Sequence, residues 1–125
     1  MWILALCLVG IAATAGCVNS DEAAAYADML DQFPGSYTQV PASEYAIYDH
    51  VLVLRADNTG TLQELMQGTV VDQFPCTWRG TGSVDHRIKI QFEDDFAAYL
   101  NGYYSLSSDG KTLTQETTGT VYLRS

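Results

Sequence analysis

Three hydrophobic patterns follow one another along the chain. Residues 2–13, from Trp2 to Ala13, form an uncharged apolar run. From Asn19 to Phe33 the apolar positions take a helical period, with Ala23, Tyr26, Ala27, Leu30 and Phe33 recurring at three- and four-residue spacing as one predicted face. Asn19 and Glu22 have the spacing of a capping box, and Asp21 with Glu22 suits the positive end of a helix dipole. Pro34-Gly35 ends the helix. Beyond Gly35 the period drops to two and turn residues recur, which predicts strands over 36–40, 46–56, 60–67, 73–80, 86–92, 99–107, 111–117 and 120–124. Asp57-Asn58-Thr59-Gly60 and Ser108-Asp109-Gly110-Lys111 read as hairpin turns, with Gly or Asn available for positive φ. Glu93-Asp94-Asp95 reads as a further turn, and Gly80 with Gly82 as a bulge or loop. Short, evenly spaced strands joined by short turns predict a mainly β fold. One short helix precedes an antiparallel up-and-down meander of about eight strands, which closes into a barrel and so removes its unpaired edges.

The apolar run is the length of a signal-peptide core (about 7–15 residues) and falls short of the ~20 that a membrane span needs. Thr14, Ala15 and Gly16 follow, then Cys17 and a polar stretch. Ala15-Gly16-Cys17 resembles the bacterial lipobox, with Thr14 where that pattern favours Leu. The resemblance implies cleavage after Gly16, a diacylglyceryl group on the Cys17 thiol and an acyl chain such as palmitate on the new amine. Two or more chains anchor a protein stably where one does not. A second cleavage is open here, because Ala13-Thr14-Ala15 fits the A-x-A pattern and would release a soluble protein beginning at Gly16. The expected division is a signal peptide over 1–16, a lipidated Cys and helix over 17–33, and a barrel domain over 34–125. Val18 lacks the Asp that holds many enterobacterial lipoproteins at the inner membrane, so the expected address is the cell envelope with the outer membrane favoured.

Phe33-Pro34-Gly35-Ser36-Tyr37, directly after a helix, resembles the opening of lipocalin-like barrels, where a G-x-W sits on the first strand. In those barrels an Arg of the last strand packs across the aromatic ring. Arg124 stands at the matching place and Tyr37 replaces the Trp. The resemblance gives Gly35, Tyr37 and Arg124 structural roles and implies a small apolar or amphipathic ligand.

Charge narrows the partners. Fifteen Asp and Glu face six Lys and Arg for a formal charge of −9, and all of them lie beyond Cys17. A field of that sign repels phosphate backbones, which makes nucleic acid a poor partner. It serves solubility, and it also suits a basic protein or a cation.

Catalytic patterns are absent from the sequence. There is no G-x-S-x-G, P-loop, G-x-G-x-x-G or CxxC, and no recognisable Ser-His-Asp set. No enzyme, cofactor or metal is therefore expected. His50 and His86 lie on predicted strands without a metal-ligand spacing, and ordinary strand-end histidines account for them. Glu93-Asp94-Asp95 lacks the spacing of a calcium loop and reads as solvated. Cys76, in Phe74-Pro75-Cys76-Thr77-Trp78, reads as a buried inert thiol. It is a lone thiol if Cys17 is acylated, and a possible disulfide partner of Cys17 if it is not. The aromatics spread over most strands leave two interiors open: a filled core, or a pocket with Tyr48, His50, Trp78 and Tyr103 as ligand-binding candidates. Two functions follow. One is a monomeric, non-enzymatic, membrane-anchored barrel that binds a small apolar ligand or serves as an envelope scaffold. The other is an acidic protein-interaction module, such as an inhibitor of a basic envelope-directed enzyme like lysozyme.

Overall fold

A computed structural model describes residues 20–41 and 43–125. The apolar run, the two cleavage sites, Cys17 and the Asn19 cap lie outside those residues. The chain enters through helix α1, Ser20–Leu30, with Asp21 and Glu22 in its first turn. The sequence pattern extends this helix to Phe33. Instead Gln32 and Phe33 donate to Met29 and Leu30 in tighter i→i−3 bonds, and Pro34 disfavours the α conformation at Phe33. The buried stripe is also displaced. Met29 and Phe33 are buried and Tyr26 and Leu30 half-buried, whereas Ala23 and Ala27 are exposed. The larger side chains have the greater apolar area to remove from water, and they set which face packs.

Eight strands follow: β1 (Gly35–Gln39), β2 (Asp49–Leu54), β3 (Thr59–Met66), β4 (Thr69–Gly80), β5 (Arg87–Phe92), β6 (Gly102–Leu106), β7 (Thr112–Gln115) and β8 (Val121–Arg124). They form a closed antiparallel barrel in chain order, and β1 meets β8 through Tyr37↔Arg124 and Gln39↔Tyr122. The mainly β, up-and-down barrel with one preceding helix is thus the architecture that the period-two pattern predicts. Several boundaries differ. Residues 46–48 precede β2, so Tyr48 lies in the β1–β2 loop. His86 precedes β5 in a left-handed conformation (φ 56). Gln67 and Gly68 both take positive φ, the requirement of a tight two-residue hairpin, and β4 accordingly starts at Thr69, before the sequence-predicted strand. Residues 95–100 are neither strand nor simple turn. They form a 3-10 helix, Asp95–Leu100, capped by Asp94, whose carboxylate accepts from the Phe96 N–H at 2.8 Å.

The barrel interior is filled. Leu52, Leu54, Leu62, Cys76, Trp78, Ile88, Ile90, Phe92, Leu106 and Leu113 point inward with Tyr37, Tyr104 and Tyr122, and all are buried. Burial is tolerated for Tyr37 and Tyr104 because their hydroxyls are hydrogen-bonded. Tyr37 Oη donates to the Phe33 carbonyl at 2.5 Å, and Tyr104 Oη to that of Leu100 at 2.7 Å. Each end has its own plug. Met29 and Phe33 close the end where α1 lies, with Phe33 6.1 Å from the Trp78 ring, and Ala97 and Leu100 of the 3-10 helix cover the other. Arg124 locks the α1 end. Its guanidinium lies 4.7 Å over the Tyr37 ring and donates to Tyr37 Oη and to the carbonyls of Pro34, Gly110 and Gln32. Gly35 leaves the space this guanidinium occupies, since a Cβ there would overlap its Nη1.

Candidate interaction face at the barrel end opposite the helix

In an up-and-down barrel alternate loops share an end. Segments 40–48, 67–68, 93–101 and 116–120 all emerge opposite α1. Neither these segments nor the adjoining strand ends contain a Lys or Arg over 39–50, 64–74, 92–102 and 115–121. The same stretches carry Glu44, Asp49, Glu64, Asp72, Glu93, Asp94, Asp95 and Glu116. Glu116 is neutralised, because Arg87 binds it bidentately from the barrel wall at 2.7 and 3.0 Å and holds its carboxyl below the usual range. The other seven carboxylates have no Lys or Arg partner among the described residues. All six basic residues lie on the wall or toward α1: Arg55, Arg79, Arg87, Lys89, Lys111 and Arg124.

Apolar exposure gathers at this same end. Val40, Tyr45, Ile47, Tyr48, Met66, Val70, Val71, Phe96 and Tyr99 are exposed there, and Tyr45 and Phe96 each keep 83% of their surface in water. An acidic field and a set of exposed aromatic and aliphatic side chains therefore coincide. In general it is contiguous apolar exposure, and not singly scattered apolar side chains, that accompanies interaction surfaces.

Among these residues is a cleft of about 310 Å³. Leu62, Ala97 and Leu100 are its buried floor, joined by half-buried Phe74. Glu64, Asp72 and His50 line it together with Phe96 and Tyr99. His50 Nε2 lies 3.2 Å from Glu64 Oε2. Buried Gln115 braces the neighbouring turn, accepting from Thr118 Oγ1 at 2.6 Å and donating to the Tyr99 carbonyl at 3.4 Å.

The four ligand-binding candidates do not form one site. His50 lines the cleft, and Tyr48 lies at the same end in the loop before β2. Trp78 is core: it packs on Phe33 and its indole N–H donates to the Arg55 carbonyl at 2.9 Å. Tyr103 is on the outer wall, with Arg87 4.5 Å and Lys89 5.9 Å from its ring. His86 is at the α1 end, where its backbone N–H meets Met29 Sδ at 3.0 Å. Cys76 is buried, and burial pushes its thiol up to about 12. Glu64, Asp72, Phe74, Phe96 and Tyr99 escape a stretch-by-stretch reading of the sequence. Grouping alternate turns and counting their Lys and Arg would have found the end.

No family model, curated protein or solved structure matches the chain.

Proposed function

We propose that this chain is a lipid-anchored, non-enzymatic module of the bacterial cell envelope that docks a basic protein through the barrel end opposite its helix. The observation that carries this reading is the absence of Lys and Arg from one end together with its apolar exposure: seven carboxylates without a Lys or Arg partner among the described residues share that end with nine exposed apolar side chains. Complementary charge accelerates encounter, and buried aromatics contribute most of the binding energy once partners meet. The packed core bears on the rival reading, since the inward-facing side chains among the described residues form one buried cluster where a lipocalin-like barrel would hold its apolar ligand. The anchor is consistent with this polarity. Cys17 precedes α1 by only three residues, and α1 lies across the opposite end. A lipid on Cys17 would hold that end at the membrane and direct the acidic end away from it.

A basic lysozyme serves as the probe partner, with calorimetry at low and at physiological ionic strength, where the Debye length is about 8 Å. Binding at low salt that weakens with salt, and weakens further in a Glu93→Gln, Asp94→Asn, Asp95→Asn variant, is expected. Absence of binding at low salt, or indifference to both salt and substitution, overturns the reading. Mass spectrometry of the mature N-terminus tests the anchor: acylated Cys17 is expected, and a free Gly16 amine contradicts it.

A further inference from the structure

We propose that the cleft lined by His50, Glu64, Asp72, Phe96 and Tyr99 is the seat of one arginine side chain of that basic partner, an inference that rests on the docking reading above. The register of the sheet supports it. His50, Glu64 and Asp72 stand directly opposite one another on β2, β3 and β4, as His50↔Glu64 and Glu64↔Asp72. Two carboxylates thus stand opposite each other across adjacent antiparallel strands, and like charges so placed destabilise a sheet. Among the described residues, His50 is the side chain bonded to Glu64. Among the described residues Asp72 accepts from the backbone N–H of Gln73 at 2.9 Å, and no Lys or Arg pairs with either acid.

The rest of the cleft selects among cations. A hydrated metal ion has no use for a floor of Leu62, Phe74, Ala97 and Leu100. A long side chain with an apolar stem and a charged head fits both parts, because such stems lie along apolar surface while the head stays with polar partners. The head is a guanidinium rather than an ammonium. Its planar fork can bond two carboxylates at once, and its face stacks on an aromatic ring such as Phe96 or Tyr99. The volume of about 310 Å³ is at the small end of ligand pockets and has room for one arginine side chain.

The test is an amide NMR titration of the full ¹⁵N-labelled chain with n-butylguanidinium, and with guanidinium ion as the stemless control. Saturable shifts confined to residues around 50, 62–64, 72–74 and 96–100 are expected, with binding about tenfold tighter than guanidinium. An E64Q/D72N variant, which removes a repulsion and so keeps its fold, should bind about tenfold more weakly or worse. Shifts spread over all acidic loops, equal affinity for the two cations, or unchanged affinity in the variant each overturn the cleft assignment. The two readings fail separately. A chain that binds n-butylguanidinium in the cleft but no basic protein contradicts the docking function alone. Salt-sensitive lysozyme binding that is unchanged in E64Q/D72N contradicts the arginine seat alone.

Discussion

Replacing Arg124 by Met tests how the barrel is closed. The guanidinium joins three parts of the chain: the connection after α1 through the Gln32 and Pro34 carbonyls, the β6–β7 turn through the Gly110 carbonyl, and β1 through Tyr37. Hydrogen bonds from a charged donor contribute about 1.5–3 kcal/mol each when buried. Gln32 is exposed and Pro34 and Gly110 half-buried, so water can replace much of what those carbonyls lose. Discounting the four bonds together to roughly 2 kcal/mol on that ground, and adding about 1 kcal/mol for the guanidinium over the Tyr37 ring, gives a loss of about 3 kcal/mol. That is a large share of the roughly 5–15 kcal/mol that holds a domain folded. In a domain of this size it lowers Tm by roughly 10 °C or more. Urea unfolding followed by far-ultraviolet circular dichroism measures it. Arg124→Lys keeps the charge but not the planar fork, and should recover less than half of the loss. A loss below about 1 kcal/mol for Arg124→Met, or full recovery by Lys, refutes the reasoning.

Three further outcomes follow from the same structure. Native Cys76 should react with a thiol reagent at mildly alkaline pH far more slowly than in urea, because burial raises its pKa to about 12 and leaves little thiolate; equal rates contradict this. Gly60→Ala should cost about 1–3 kcal/mol, since the new Cβ would lie 2.7 Å from the Val53 carbonyl and 2.9 Å from Cys76 Sγ; an unchanged urea midpoint contradicts it. The Arg87 bond holds the Glu116 carboxyl below its usual range, so unfolded Glu116 takes up a proton at a higher pH than folded Glu116. Its stabilisation is present above the ordinary carboxylate value and is lost as pH falls through the folded one, so Glu116→Gln should flatten the acid side of the stability curve; parallel curves for the two proteins contradict this.

Strand order and closure were legible because period-two alternation and turn chemistry act locally, and short connections leave few other topologies. The 3-10 helix was not. Glu93-Asp94-Asp95 carries turn residues and Tyr99 a strand-forming side chain, whereas packing of Ala97 and Leu100 over the barrel mouth decides the local structure. The helix stripe was shifted for a similar reason, with Met29 buried in place of Ala23 and Ala27. The Tyr37–Arg124 stack stood in the sequence only as a resemblance of a few residues. The candidate site was least legible, because it depends on registers between strands distant along the chain. Glu64 and Asp72 look like ordinary solvated acids until β3 and β4 set them opposite each other. Trp78 and Tyr103 look like pocket residues until one proves to be core and the other to lie on the outer wall.

The central claim is that the end opposite α1 meets the partner. Amide chemical-shift mapping of the full ¹⁵N-labelled chain with a basic lysozyme at low salt tests it most directly. The account predicts perturbations confined to residues 40–50, 64–74 and 93–101, fading as salt is raised. Perturbations centred on α1, on the 81–86 loop or on the wall around Tyr103 would contradict it.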